Sequence, residues 1–132
     1  MEMKTEDDGN CFVCGNNNPV GLKLSFELLN GKITSEFTPS ALHQGYKNIT
    51  HGGIITALLD EAMIQAALSA GIAPLTAEIS VRFKKPLVAG HPVHIEAEIE
   101  KKKSRLIEAR AMLTSCINGD IIAEAHAKLL IT

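Results

Sequence analysis

The sequence contains no tryptophan, a single tyrosine (Tyr46) and only 4% aromatic residues. Stacking platforms for nucleobases or sugar rings therefore have almost nothing to be built from. An excess of either charge is also missing: 13 Lys and Arg stand against 15 Asp and Glu, a formal net charge of −2. That balance draws the chain neither to nucleic acid nor to an anionic membrane surface. No apolar run reads as a membrane span, because the best stretch, residues 52–73, is broken by Asp60, Glu61 and Gln65. The opening MEMKTEDDGN is acidic and polar, unlike a secretory signal or a transit peptide. Three cysteines in such a chain point to reduced thiols and a cytoplasmic location.

What is present is a chain of 132 residues, 45% hydrophobic and 21% charged, the size and composition of one globular domain. A chain of this length buries roughly two-thirds of its extended surface and needs no disulfides. Residues 1–10 read as a flexible tail and residues 11–132 as the single domain. Residues 11–21, CFVCGNNNPVG, have turn chemistry. A strand is expected over 22–29, a hairpin turn at Asn30-Gly31, a second strand over 32–37 and a loop over 39–50.

His51-Gly52-Gly53 opens a helix that runs to about Ala70 and stops at Gly71 and Pro74. Its apolar positions, Ile55, Leu58, Leu59, Ala62, Met63, Ala66, Ala67 and Ala70, fall on one helical face. Ile54, Ile64 and Leu68 fill most of the other side, so the helix should be surrounded by protein. Beyond it the pattern has period two. Ala77, Ile79, Val81 and Phe83 alternate with Glu78, Ser80, Arg82 and Lys84, and three more such stretches begin at Val93, Ile107 and Ile121. No helix-length segment separates these strands, so they should be antiparallel neighbours. The fold class is α+β: a curved antiparallel sheet of about six strands around one long helix. A dimer joining two sheets would hide the exposed edges.

Two glycines at a helix start let a ligand approach the backbone, where unsatisfied N–H groups and the helix dipole favour an anionic oxygen. Gly52 and Gly53 are candidates for such an oxyanion site. Asp60 sits in the middle of the apolar helix, where aspartate is a poor helix former and a carboxylate is costly to bury without partners. A partly desolvated carboxylate between Thr56 and Ile64 suits a general base or a nucleophile. Glu61 shares its face with Gln65 at i+4, a polar stripe at the helix edge. Pairing of either carboxylate with Arg82 or Lys84 is the alternative.

Five segments occur in order: Cys11-Phe-Val-Cys-Gly, Asn18-Pro-Val-Gly-Leu, His43-Gln-Gly, the run from His51 to Met63 (HGGIITALLDEAM) and Arg82-Phe-Lys-Lys-Pro-Leu. Together they resemble the hotdog-fold acyl-CoA thioesterases of the phenylacetate-degradation (PaaI-like) type, from Cys11 to the C-terminus. The resemblance implies a hydrolase acting on a small-molecule acyl-CoA, with no cofactor beyond the coenzyme A of the substrate. It implies a homodimer or a dimer of dimers whose active sites are shared between subunits. Residue by residue, it implies Asp60 as the base that activates water, or as a nucleophile. It gives the Gly53 N–H the thioester carbonyl to polarise, and His51 the turn to shape. Thr76, ten residues before Pro86, would hold the attacking water. Many members carry an Asn or Gln six residues before the His, where this chain has Gly45; Gln44 and Asn48 are the nearby substitutes. Gly52, Glu61, Arg82, Lys84 and Lys85 complete the candidate substrate contacts, the basic residues facing the phosphates of coenzyme A. Lys101, Lys102, Lys103 and Arg105 are further basic residues that phosphates would favour, but Lys101, Lys102 and Lys103 read rather as a solvated turn and strand edge.

Cys11-x-x-Cys14 has zinc-ligand spacing, but no second cysteine pair exists, and only Cys116, His43 or a partner chain is at hand to complete a site. No metal is therefore expected. A Gly-x-Ser-x-Gly elbow and a phosphate-cradling loop are both absent. Gly45 keeps open a second reading, a non-catalytic acyl-CoA-binding module. A hydratase or dehydratase ranks below it, because its differently spaced His and acidic motifs are not found.

Overall fold

A computed structural model describes residues 5–132, so residues 1–4 of the expected tail lie outside the described residues. The elements run β1 (Glu27–Leu29), β2 (Lys32–Phe37), a 3₁₀ turn (Ala41–His43), α1 (Gly52–Ser69), β3 (Leu75–Phe83), β4 (Val93–Lys103), β5 (Leu106–Ser115) and β6 (Ile121–Leu130). The strands form one antiparallel sheet in the order β1-β2-β4-β5-β6-β3, and α1 packs against β2 through β6. One helix can touch five strands only if the sheet curves around it. This is the α+β hotdog architecture expected from the sequence.

The curvature follows from the residues facing inward. β5 and β6 present Ala109, Ala111, Ala123, Ala125 and Ala127, all buried, so the sheet closes tightly on the helix. Leu58, Leu59, Ala62 and Met63 of α1 are completely buried there, as their helical spacing predicted. Each large side chain among them contributes about 1.5–3 kcal/mol by leaving water. Asn30 and Gly31 both have positive φ, 52° and 78°, the conformation of a two-residue hairpin loop.

Four expectations are corrected. β1 begins at Glu27 rather than at residue 22. The preceding segment is held by the Cys11 loop instead, with Leu22 N–H donating to Phe12 O and Leu24 N–H to Val13 O, and Lys23 at φ 55° breaks the extended run. The helix ends at Ser69, so Ala70 becomes an exposed C-cap. Its outer side is not enclosed within one chain: Ile54 and Ile64 are half-buried and Leu68 is exposed. Finally, β3 does not alternate strictly. A bulge lies between Thr76 and Glu78, with Ala77 as the extra residue.

Candidate active site

The bulge in β3 decides where Thr76 goes. Downstream of it, Ile79 and Val81 pair with buried Ala127 and Ala125, so odd-numbered positions face the helix. Strict alternation would then turn Thr76 outward. The inserted Ala77 reverses the parity, so that Thr76 pairs with buried Leu129 and faces inward. There the Thr76 hydroxyl donates a 2.6 Å hydrogen bond to Asp60 Oδ1. Asp60 is half-buried in the middle of α1, and Thr76 is the only hydrogen-bond partner of its carboxylate among the described residues. One carboxylate oxygen is thus held while the other is left to accept a proton.

At the start of α1, His51 is the N-cap, and its Nδ1 accepts a 2.8 Å hydrogen bond from the Gly53 N–H. The N–H groups of Ile54 and Ile55 both donate to His51 O. The sequence reading left the Gly53 N–H unoccupied; in the fold it already has an acceptor. The Gly52 N–H has none among the described residues. A Cβ on Gly53 would stand 3.0 Å from His51 Nδ1, so the imidazole would have to shift by a few tenths of an ångström to keep the cap. Gly45 lies against the same imidazole: a Cβ there would meet His51 Cδ2 at 3.3 Å.

The sequence reading passed over Thr50. Only 4% exposed, it has a hydroxyl with no hydrogen-bond partner, and it lines a cavity of about 270 Å³ together with Gly52, Ile55, Phe83, Lys84 and Lys85. A buried hydroxyl without a partner costs about 1–3 kcal/mol. Nothing local in the sequence marks Thr50, because its burial depends on Leu87, whose carbonyl accepts the Thr50 N–H across the loop.

Glu61 points elsewhere. Its Oε1 accepts from Cys14 Sγ at 3.3 Å, from Cys11 Sγ at 3.7 Å and from Gln65 Nε2 at 3.3 Å. The Gln65 pairing was legible at i+4; the two thiols were not. Burial, then the contact with Cys11 and the charge of Glu61, pushes the Cys14 thiol far above the usual thiol range. The residues named to complete a metal site stay away: His43 Nδ1 accepts from the Ser40 N–H at 2.9 Å, and Cys116 is exposed.

A curved sheet wrapped around one long helix matches known proteins. A family model for the thioesterase superfamily covers residues 47–115. The chain belongs to the thioesterase superfamily. Acyl-coenzyme A thioesterase THEM4 of Xenopus laevis is 32% identical over 80 residues, which are 61% of this chain and 34% of that protein. The chain thus spans about a third of the length of the curated relatives it matches. A solved thioesterase superfamily protein superposes with a TM-score of 0.86 at 22% identity, over 92% of this chain and 63% of that one. A hypothetical thioesterase of Streptococcus pneumoniae, solved with coenzyme A, gives 0.78 at 16% identity, over 83% and 88%.

In this superfamily member the matched segment contains the capped glycine turn, Asp60 and Thr76 together. The basic candidates are partly engaged. Lys84 pairs with Glu124 at 3.0 Å and Lys85 with Asp120 at 2.7 Å, whereas Arg82 is exposed without an ion pair among the described residues. Gln44 Oε1 accepts the Asn48 N–H at 3.1 Å, and Asn48 holds φ at 65°. These two residues brace one loop with each other, and the Gln44 amide nitrogen has no acceptor among the described residues. No described helix is long and apolar enough to cross a membrane.

Proposed function

We propose that this chain hydrolyses an acyl-CoA thioester to the free acid and coenzyme A. The observation that carries the reading is the Asp60 carboxylate, set in an apolar helix and held on one side only, by Thr76. Its free oxygen takes a proton from water as the water oxygen attacks the thioester carbon. The tetrahedral oxyanion is met by backbone N–H groups at a helix start. Collapse breaks the carbon–sulfur bond, and the thiolate receives the proton held by Asp60. Water and thioester become acid and thiol, with no cofactor in the chemistry. A positioned base is worth about 10²–10⁴ in rate and an oxyanion donor about 10²–10³.

Helix geometry supports a site shared between two copies. Gly53 and Asp60 are seven positions apart on α1, about 10.5 Å along the axis. The family resemblance implies that Asp60 and Thr76 of one chain act with the Gly53 turn of a second copy, in a dimer or a dimer of dimers, and a separation of this size agrees with that arrangement. β3 offers the unpaired edge for this, and Leu75 and Phe83 on it are exposed. Charge on the oxyanion lets it compete with the neutral His51 nitrogen for the Gly53 N–H, so that this bond strengthens only as the reaction proceeds. The cavity beside Gly52 accepts the thioester arm, and Lys84 and Lys85 line it for phosphate. We place this chemistry in the cytoplasm, in keeping with the three free cysteines.

Gly45 supports a second reading, a binding module without turnover, because the glycine packed on His51 supplies no side-chain amide to the carbonyl. Thiol release from short, long and aryl acyl-CoA esters, with Asp60→Asn alongside, separates the two. Turnover lost in the variant supports hydrolysis; binding without turnover in the native chain overturns it. Dilution until light scattering reports monomers should abolish activity, and an active monomer would overturn the shared site.

A further inference from the structure

The cluster of Cys11, Cys14 and Glu61 has no part in that chemistry. The loop at residues 11–15 is wound so that both sulfurs face α1. Gly15 N–H donates to Cys11 O at 2.9 Å and Cys14 N–H to Cys11 Sγ at 3.4 Å. Gly15 makes this winding possible, since a Cβ would stand 2.3 Å from Cys11 N and 2.6 Å from Gly9 O. Across from the loop, Glu61 supplies a carboxylate oxygen, and the three ligand atoms all lie within 4.8 Å of one another.

We infer that Cys11, Cys14 and Glu61 bind a zinc ion that clamps the N-terminal loop to the middle of α1. Zinc holds sulfur at about 2.3 Å and carboxylate oxygen at about 2.0–2.2 Å, which puts two tetrahedral ligands about 3.5 Å apart, sulfur to oxygen. The observed separations, 3.3 Å from Cys14 and 3.7 Å from Cys11 to the same Glu61 oxygen, bracket that value. Backbone donation to a cysteine sulfur, seen at Cys11, stabilises the thiolate a metal requires. A water held by Gln65 takes the fourth corner; the amide already reaches both Cys14 Sγ, at 3.7 Å, and Glu61. Binding releases one proton from each thiol, leaves Glu61 a carboxylate and changes no oxidation state. Thiolate donors select zinc over magnesium or calcium. The paired cysteines alone lacked a third ligand; the fold supplies it from 47 positions beyond Cys14.

The site is independent of thioester hydrolysis and is tested without it. The full chain, purified in reductant without chelator and with its three thiols verified free, is titrated with cobalt(II) and assayed for zinc after desalting. One metal per chain and a thiolate-to-cobalt charge-transfer band are expected. Cys116→Ser should keep the band, Cys11→Ser with Cys14→Ser should lose it, and Glu61→Gln should weaken binding by at least about 10–100-fold, the loss that even outer partners cause. No band in the native reduced chain overturns the site, as does unchanged affinity in a folded Glu61→Gln. The first reading is made on the native chain, so a variant that fails to fold does not decide it.

Discussion

The Thr76 hydroxyl donates to Asp60 Oδ1 at 2.6 Å, joining the edge strand β3 to the middle of α1. That bond fixes the carboxylate's orientation and leaves its second oxygen without a hydrogen-bond partner among the described residues.

Asp60→Asn keeps the shape of the side chain and its hydrogen bond with Thr76, so the melting temperature should change little. The rate of thiol release should fall by about 10²–10⁴. Thr76→Ser should preserve activity, while Thr76→Val should lose about 10-fold or more, as a hydrogen bond to a charged group is worth about 1.5–3 kcal/mol. Equal activity in Thr76→Val and Thr76→Ser would show the hydroxyl to be idle.

His51→Ala removes an N-cap whose Nδ1 holds the Gly53 N–H at 2.8 Å. Stability should drop by about 0.5–2 kcal/mol, measured by urea unfolding. The rate should fall far less than in Asp60→Asn if, as proposed, His51 shapes the turn and Asp60 takes the proton. A loss as deep as that of Asp60→Asn would make His51 the base instead.

Gly15→Ala drives a methyl group into the Cys11 backbone at 2.3 Å, a contact that cannot relax cheaply. It should cost about 3 kcal/mol, the upper end of the usual overpacking range. Gly71→Ala meets nothing within 4 Å and carries only the strain of its φ of 81°, about 1–2 kcal/mol. Thermal unfolding of the two variants should rank them in that order; the reverse ranking would mean the Cys11 loop adds little to the fold.

Lys84→Ala and Lys85→Ala, at the rim of the cavity beside Gly52, should raise KM for an acyl-CoA with kcat nearly unchanged. Added salt should shrink the difference from the native chain, since exposed charges are screened. A truncated thioester without phosphates should show no difference. If it does, the lysines act through Glu124 and Asp120, their partners in the fold.

Local periodicity carried much of this protein. The helix from Gly52 to Ser69 was legible from apolar spacing between a glycine pair and a Gly-Pro stop, and β2 to β6 were legible from period-two alternation and the Asn30-Gly31 turn. Backbone geometry sets those periods within a few residues, so the sequence by itself determined the element types, the buried helix face and the family resemblance. Tertiary structure decided what the key side chains meet. One bulged residue, Ala77, reversed the face of β3 and turned Thr76 to Asp60. The His51 imidazole folded back on the Gly53 N–H, and a loop 47 positions upstream of Glu61 brought Cys14 to its carboxylate. Such contacts depend on strand register and on packing between distant segments. Neither leaves a local pattern to read, because a shift of one residue changes every face beyond it.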